Sequence, residues 1–330
     1  MIRSNAVARF TAPKKIKIDK EPLPKLQKDY ALIKYLYCGI CGGDYSIFLG
    51  RRTTYPVSLG HEFVGEIIDL GENVHNLHCG QIVISDFNYR CGDCDFCRTH
   101  KSHLCIYNNI EFFSNRGFAN YANIHVNYLV PISPPGYLPR ACLIEPLSCV
   151  IHACESAHIK SGMHILLCGG GSLGMLFCFY LSRIIGDVFI DLCEIINVRL
   201  DLLKKHFPIS KYCERGDNSY DLIIDCSNTT SGLEFSLNHA KSGSNLCIMS
   251  HLYGLETSFV YELMCKKELH CIFPLRNGKQ KNLEQAAQYI NYFWESNDDD
   301  LLNIYQDISV AFNEKESAPV CKQIISSQAL

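Results

Sequence analysis

The chain has 330 residues, 47% of them hydrophobic and 20% charged, with 31 Lys and Arg against 34 Asp and Glu and a formal net charge of −3. So balanced a charge excludes the strongly basic surface on which binding to nucleic acid or to an anionic membrane depends. The length favours two domains over one.

The beginning of the chain and its most apolar stretch do not resemble targeting or membrane segments. Residues 1–30 alternate charges, prolines and short apolar runs, unlike a signal peptide. Residues 164–186 are interrupted by glycines, which indicates a buried strand and helix rather than a membrane span. We therefore expect a soluble cytoplasmic protein.

Nineteen cysteines are a high count, and an odd one. A chain of this size without a secretory signal is not expected to hold a disulfide framework. Isolated cysteines in apolar runs, such as Cys168 and Cys178, are interpreted as small core residues. The clustered cysteines are candidates for metal binding.

The first predicted elements are short strands within residues 1–37, separated by prolines, which indicates an irregular β domain. Residues 38–62 follow and contain Cys38, Cys41, Asp44, His61 and Glu62. A thiolate, an imidazole and a carboxylate suit a Zn²⁺ site with an open position. Asp44 is placed to accept a hydrogen bond from the ligating histidine. A glycine-rich turn with ordinary buried Cys and His remains the alternative.

Four cysteines within fifteen positions form the next pattern. Cys91, Cys94, Cys97 and Cys105 can close a tetrahedral site that leaves no position for water, so its role would be structural. Unpaired thiols on a loop are the alternative. His100 and His103 lie inside the segment, and we expect them to be solvated rather than ligands.

Glu145 lies in a predicted helix over residues 141–157, just before Pro146. An acid there is either a buried functional carboxylate or a charge that favours the helix N-terminus, and the sequence supports both equally.

A dinucleotide-binding pattern begins at residue 164. A predicted strand over 164–168 leads into Gly169, Gly171 and Gly174, with Ser172 and Leu173 between them, and a helix follows. In that setting the glycines allow a pyrophosphate to approach the helix N-terminus. A second strand ends at Glu194, which can bind ribose hydroxyls and repel a 2′-phosphate, so NAD is favoured over NADP. Arg199 is the nearby residue that argues for NADP.

The alternation of strands and helices continues through predicted strands at 220–225, 245–250 and 269–273. About six parallel strands make a doubly wound domain. We expect an NAD-binding domain at 148–273 and a catalytic domain formed by 1–147 and 274–330, with the four-cysteine lobe at 91–105. The overall class is α/β.

Taken together, these motifs resemble the zinc-dependent medium-chain dehydrogenases, the family of alcohol, sorbitol and threonine dehydrogenases, and the polyol branch in particular. The resemblance implies a GroES-like β domain beside a Rossmann domain, and two zinc ions per chain. It implies that Cys41 and His61 bind the catalytic zinc with Glu62 or Glu145 as the third ligand. Cys91, Cys94, Cys97 and Cys105 match the structural zinc ligands of the family.

The resemblance also implies an assembly, a homodimer or a homotetramer, which we expect to form through the strand at 245–250 at a sheet edge. One position departs from the family pattern. The family usually carries Ser or Thr where this chain has Gly43, and that hydroxyl begins a proton relay.

These features predict an NAD-dependent, zinc-dependent enzyme that oxidises a secondary alcohol, namely a polyol, sugar or amino-alcohol. The alternative is a non-catalytic sensor or assembly protein that keeps the fold and binds a dinucleotide, and Gly43 is the feature that favours it.

Overall fold

A computed structural model describes residues 4–51, 55–86, 88, 90–107, 117–212, 220–252 and 258–330. The chain forms two units. Unit 1 comprises Met1–Ser148, Arg276–Glu316 and Lys322–Leu330, and unit 2 comprises Cys149–Leu275 and Ser317–Cys321. Within the described ranges, no helix is both long enough and apolar enough to cross a lipid bilayer.

The strands are named in chain order: β1 (Asn5–Ala12), β2 (Lys15–Glu21), β3 (Tyr30–Gly39), β4 (Glu62–Leu70), β5 (Ile82–Ser85), β6 (Tyr121–His125), β7 (Leu129–Pro131), β8 (His164–Cys168), β9 (Phe189–Cys193), β10 (Ser210–Lys211), β11 (Leu222–Asp225), β12 (Asn245–Ile248), β13 (His270–Ile272), β14 (Leu302–Tyr305) and β15 (Lys322–Ser326).

The α-helices are α1 (Gly42–Phe48), α2 (Asp95–Arg98), α3 (Ile144–Ser156), α4 (Ser172–Tyr180), α5 (Asn197–His206), α6 (Thr230–His239), α7 (Ser258–Lys266), α8 (Gln280–Phe293) and α9 (Ile308–Asn313). A 3₁₀ segment, Leu138–Leu143, leads into α3, and a π-helical turn, Leu181–Ile185, continues α4.

Unit 1 is built on a sheet with the strand order β14-β15-β3-β4-β5-β7, to which β6 adds by pairing with β3. Most pairings are antiparallel, and the alternating burial along β6 is the pattern of a sheet with one face against a core. The C-terminal strand β15 lies against β3, with Ile325 opposite Cys38. This pairing brings the last residues of the chain beside the segment that leads to Cys41.

Unit 2 holds a six-stranded parallel sheet with the order β10-β9-β8-β11-β12-β13. Its central strands are buried over consecutive residues, as in β8 and β11, because helices cover both faces of a doubly wound sheet. The predicted α/β class is therefore confirmed. The outer strand β10 has only two residues, both exposed, and its sequence carries no strand signal.

The predicted position of residues 245–250 at a sheet edge is wrong. β12 covers Asn245–Ile248 and pairs on both sides, with β11 and with β13. On that side of the described sheet β13 is the outer strand. The order of strands depends on how successive crossovers return to the sheet, which the hydrophobic pattern of one strand does not encode.

Candidate active site

Helix α1 places Cys41, which is its N-cap residue. The backbone N–H of Gly43 donates to the Cys41 sulfur (3.4 Å), and the N–H of Cys41 donates to Asp44 Oδ2 (3.2 Å). These reciprocal bonds form a capping box and hold both side chains at the start of the helix. The sequence Cys41-Gly42-Gly43-Asp44 therefore fixes a thiol and a carboxyl next to each other.

Strand β4 places the histidine and the first carboxylate. His61 immediately precedes the strand, and Glu62, its first residue, lies opposite Gly39 of β3. One ligand atom each from Cys41, His61 and Glu62 lies within 4.8 Å of the others. His61 Nδ1 is 3.7 Å from an Asp44 oxygen, which is an ion-pair distance rather than a direct hydrogen bond.

Glu145 lies in the first turn of α3 and is 5% exposed. Burial, assisted by the charge of Glu62 and opposed by those of His61 and Lys322, raises the pKa of this carboxyl to about 7. Glu145 is therefore close to the group formed by Cys41, His61 and Glu62, although it is not part of that compact group. Of the two interpretations of this residue, the buried carboxylate describes its environment better.

Sequence reasoning missed Lys322. Its side chain is fully buried and its ammonium group pairs with Glu62 Oε2, and lies 3.4 Å from the carbonyl oxygen of Ile40. Gly39 makes room for this pair, because a Cβ there would lie 2.6 Å from Lys322 Cε. The only signal in the sequence is a lysine within an otherwise apolar, strand-like run near the C-terminus.

The charges of this buried cluster favour a bound cation. Besides Glu62 and Glu145 it holds Asp44, which is 3% exposed, and the Cys41 sulfur, against the ammonium group of Lys322. Burial alone would lower the pKa of His61, yet the Cys41 thiolate and Asp44 raise it well above its usual value. Buried anions need compensating charge, and sulfur, nitrogen and oxygen donors together suit Zn²⁺. The residues present therefore fit a zinc ion.

The four-cysteine lobe has sulfur spacings that fit a closed zinc site. The sulfur atoms of Cys91 and Cys97 are 3.8 Å apart and those of Cys94 and Cys105 are 3.9 Å apart. Tetrahedral Zn–S bonds of about 2.3 Å place sulfur atoms about 3.8 Å apart. The N–H groups of Cys97 and Ile106 donate to the Cys94 sulfur and lower its pKa to about 6.

The two histidines of this lobe differ from each other. His100 is exposed, as expected, whereas the expectation that His103 is solvated is wrong, since His103 is 8% exposed. The 3₁₀ turn Ser102–Leu104 turns the His103 ring inward. Neither histidine belongs to the group of four sulfur ligands.

In unit 2 the glycine-rich turn connects β8 to α4. Gly169 has φ = 97°, which glycine adopts without strain, and its N–H donates to Cys193 O (2.8 Å). A Cβ on Gly174 would lie 1.9 Å from Gly169 O, so the turn and the helix pack closely only with glycine there. A Cβ on Gly171 would meet nothing within 4 Å. The space before the N-terminus of α4, where Ser172 and Leu173 begin the helix, is therefore open and suits a pyrophosphate.

Glu194 is held against this turn. Its Oε2 accepts from Gly170 N (2.8 Å) and its Oε1 from Ile196 N (2.8 Å). Arg199 Nη1 lies 3.4 Å from the same carboxylate, and Arg199 Nη2 donates to Ala318 O (3.1 Å). The guanidinium group is thus engaged with Glu194 and the backbone.

The comparison with known families gives one match within unit 1. The model of the alcohol dehydrogenase GroES-like domain matches residues 27–134. This segment contains Cys41, His61, Glu62 and the four-cysteine lobe.

Curated relatives extend over most of the chain. D-arabinitol dehydrogenase 1 of Uromyces fabae is 26% identical over 72% of this chain and 73% of its own length. Sorbitol dehydrogenase of Halalkalibacterium halodurans is 27% identical over 83% of this chain and 84% of its own. The crystal structure of galactitol-1-phosphate dehydrogenase from Escherichia coli superposes with a TM-score of 0.82 at 19% identity, covering 97% of this chain and 99% of that one. In its GroES-like segment, its parallel sheet and these relatives, the chain is similar to the zinc-dependent medium-chain dehydrogenases.

Proposed function

We propose that the protein is a zinc-dependent oxidoreductase that transfers a hydride between a secondary alcohol and NAD, the alcohol being a polyol, a sugar or an amino-alcohol. The observation that carries the proposal is the compact group of half-buried Cys41 and His61 with buried Glu62, whose ligand atoms lie within 4.8 Å of one another, with Glu145 beside them. The relatives named for arabinitol and sorbitol support a polyol as the substrate.

In this proposal Cys41, His61 and Glu62 hold the catalytic zinc. Bound zinc supplies a Lewis acid that lowers the pKa of an alcohol. Asp44 attracts His61 through its Nδ1, 3.7 Å from an Asp44 oxygen, and helps to orient the ring, and Lys322 balances part of the charge on Glu62. Glu145, with its pKa near 7, is the carboxyl in this region best suited to hold or release a proton at neutral pH. The four cysteines of the lobe hold a second, structural zinc.

For the cofactor we propose NAD. Glu194 presents a carboxylate beside Gly170, where it would repel a 2′-phosphate, and Arg199 is already engaged with that carboxylate and with Ala318 O. The open space at Gly171 in front of α4 would take the pyrophosphate.

The alternative of a non-catalytic dinucleotide-binding protein gains no support. Gly43 lacks the hydroxyl of the family pattern, yet the ligand atoms of Cys41, His61 and Glu62 remain together in one compact group. For the assembly we propose a homodimer or a homotetramer, which light scattering after size-exclusion chromatography distinguishes.

A direct test combines a substrate panel with one substitution. We expect reduction of NAD with at least one polyol, sugar alcohol or amino-alcohol, and a much weaker rate with NADP. Cys41→Ser removes the thiolate ligand and should lower kcat/KM by about 100-fold or more, because the zinc no longer activates the alcohol. Cys79→Ser is the matched control, since Cys79 is an exposed cysteine of the same unit. Equal turnover by Cys41→Ser and the unsubstituted enzyme would contradict the proposal.

A further inference from the structure

A buried carboxylate that has no part in the proposed chemistry lies directly after β5. Asp86 is 2% exposed, and its backbone N–H donates to Tyr128 O (2.7 Å). The preceding residue, Ser85, is also buried, and its hydroxyl donates to the carbonyl oxygen of His61. Asp86 thus directly adjoins a contact that fixes the backbone of a proposed metal ligand.

Both oxygens of this carboxylate are fully used. Oδ1 accepts from the backbone N–H of Asn88 (2.9 Å) and from Asn277 Nδ2 (3.0 Å). Oδ2 accepts from Arg90 Nε (2.7 Å) and forms an ion pair with Arg90 Nη2, 2.6 Å away. Asn88 and Asn277 are completely buried, and the Asn88 amide also donates to Asn277 Oδ1. A buried polar network with these bonds made holds its members in one arrangement.

The same network reaches the four-cysteine lobe. Arg90 immediately precedes Cys91, and its Nη1 donates to the Ser102 hydroxyl. Ser102 begins the turn Ser102–Leu104, which leads directly to Cys105. Arg90 therefore touches the lobe with one edge of its guanidinium group and Asp86 with the other.

The network also faces the candidate zinc centre. The negative charge of Asp86 is one of those that act on Glu145, together with Glu62, His61 and Lys322. Asp86 is consequently linked to this centre in two ways. It adjoins Ser85, which contacts the His61 backbone, and its charge acts on Glu145.

We propose that Asp86 is a positioning residue for the candidate zinc centre, and that Arg90 ties its position to the four-cysteine lobe. The proposal rests on the proposed function, because it presupposes a metal at Cys41 and His61. Groups behind the ligands of a metal typically change its affinity by about 10–100-fold when they are removed. Asp86 acts in this way, by holding the end of β5 against His61.

The experiment compares three variants. Asp86→Asn removes the negative charge but leaves the half-buried Arg90 without its counter-ion, so Asp86→Asn/Arg90→Gln removes both charges together. Asp95→Asn is the control, because Asp95 pairs with Arg98 in the same lobe but is exposed. The zinc affinity of each variant is measured by competition with a chelator. Cys41→Ser is then added to each variant, and the zinc that remains bound is the zinc of the four-cysteine lobe alone. The ligand-field bands of Co²⁺ bound in place of zinc report the geometry of the catalytic site.

We expect both Asp86 variants to keep the lobe zinc, to bind the second zinc about 10–100-fold more weakly, and to shift the Co²⁺ bands, while Asp95→Asn matches the unsubstituted protein. Unchanged affinity and Co²⁺ bands in the double variant would overturn the proposal. So would loss of the lobe zinc and of the fold in both variants, because Asp86 would then stabilise the unit as a whole. If Cys41→Ser removes no zinc, the proposed function itself fails.

Discussion

At the scale of single residues, the pairing of Glu62 with Lys322 shapes the candidate metal site. A fully buried ammonium group is stable only beside a negative charge, and Lys322 has the Glu62 carboxylate and the carbonyl oxygen of Ile40. Burial alone would lower the pKa of Lys322, but Glu62 and the Cys41 thiolate raise it. Lys322 therefore stays charged and prevents Glu62 from being an uncompensated anion before a metal binds.

Gly43 is not imposed by lack of space. A Cβ at this position would meet only the Cys41 sulfur, at 3.8 Å, which is an ordinary contact. The backbone there would therefore accept the Cβ of a Ser or Thr. Glycine at this position is thus not a steric requirement of the fold.

The raised pKa of Glu145 predicts a specific pH dependence of the metal-free protein. The folded state holds this proton up to a pKa of about 7, from an ordinary value of 4.5. The resulting stabilisation is complete below pH 4.5 and is lost as the pH rises through 7. From pH 4 to pH 8 the free energy of unfolding should fall by on the order of 3 kcal/mol more in the unsubstituted protein than in Glu145→Gln.

Urea unfolding of zinc-free protein at both pH values measures this difference. Glu155→Gln is the control, because Glu155 is an exposed acid on the same helix. Parallel pH profiles for the unsubstituted protein and Glu145→Gln would show that burial does not raise this pKa.

At the scale of elements, the glycines in the turn between β8 and α4 differ in the space that surrounds them. Gly174 is required by packing, since a Cβ there would overlap Gly169 O, whereas the side of Gly171 is open. We therefore expect the two glycines of this motif to have different roles, Gly174 in packing and Gly171 in leaving space for the proposed cofactor.

Alanine at these two positions should have opposite effects. Gly171→Ala should leave the free energy of unfolding within about 0.5 kcal/mol, but weaken NAD binding at least about tenfold because its methyl group enters the proposed pyrophosphate space. Gly174→Ala should destabilise the protein by about 1–3 kcal/mol, because the chain must shift to relieve the overlap. Calorimetric titration with NAD and urea unfolding measure both quantities. Full NAD affinity in Gly171→Ala would mean that the pyrophosphate does not lie there.

Elements with a strong local signal could be predicted from the sequence. The strand His164–Cys168 and the following glycines needed only an apolar run and a turn, and the spacing of Cys91, Cys94, Cys97 and Cys105 already suggested their grouping. Contacts between distant positions could not be predicted. Lys322 meets Glu62 across 260 positions, and Asn277 meets Asp86 across 191. Such pairs depend on which strands and loops become neighbours in the fold, and the hydrophobic periodicity of the sequence does not encode those neighbours.

At the scale of the whole molecule, the chain divides its tasks between two units. Unit 1 contains both candidate metal sites, and unit 2 contains the glycine-rich turn with Glu194. The C-terminal segment serves both, since Lys322 joins unit 1 while Ser317–Cys321 joins unit 2, where Cys321 O accepts from Ser172 Oγ (2.9 Å). Residues 317–330 therefore contribute to the structure of both units.

The central claim is that unit 1 binds zinc at two separate places, and zinc per chain tests it most directly. Protein purified without added metal or chelator should contain about two zinc ions per chain, and Cys41→Ser about one, since the lobe keeps its own ion. A value near one in the unsubstituted protein, abolished by Cys105→Ser and unchanged by Cys41→Ser, would contradict the account. Only the four-cysteine lobe would then bind metal, and the proposed chemistry would have no metal centre.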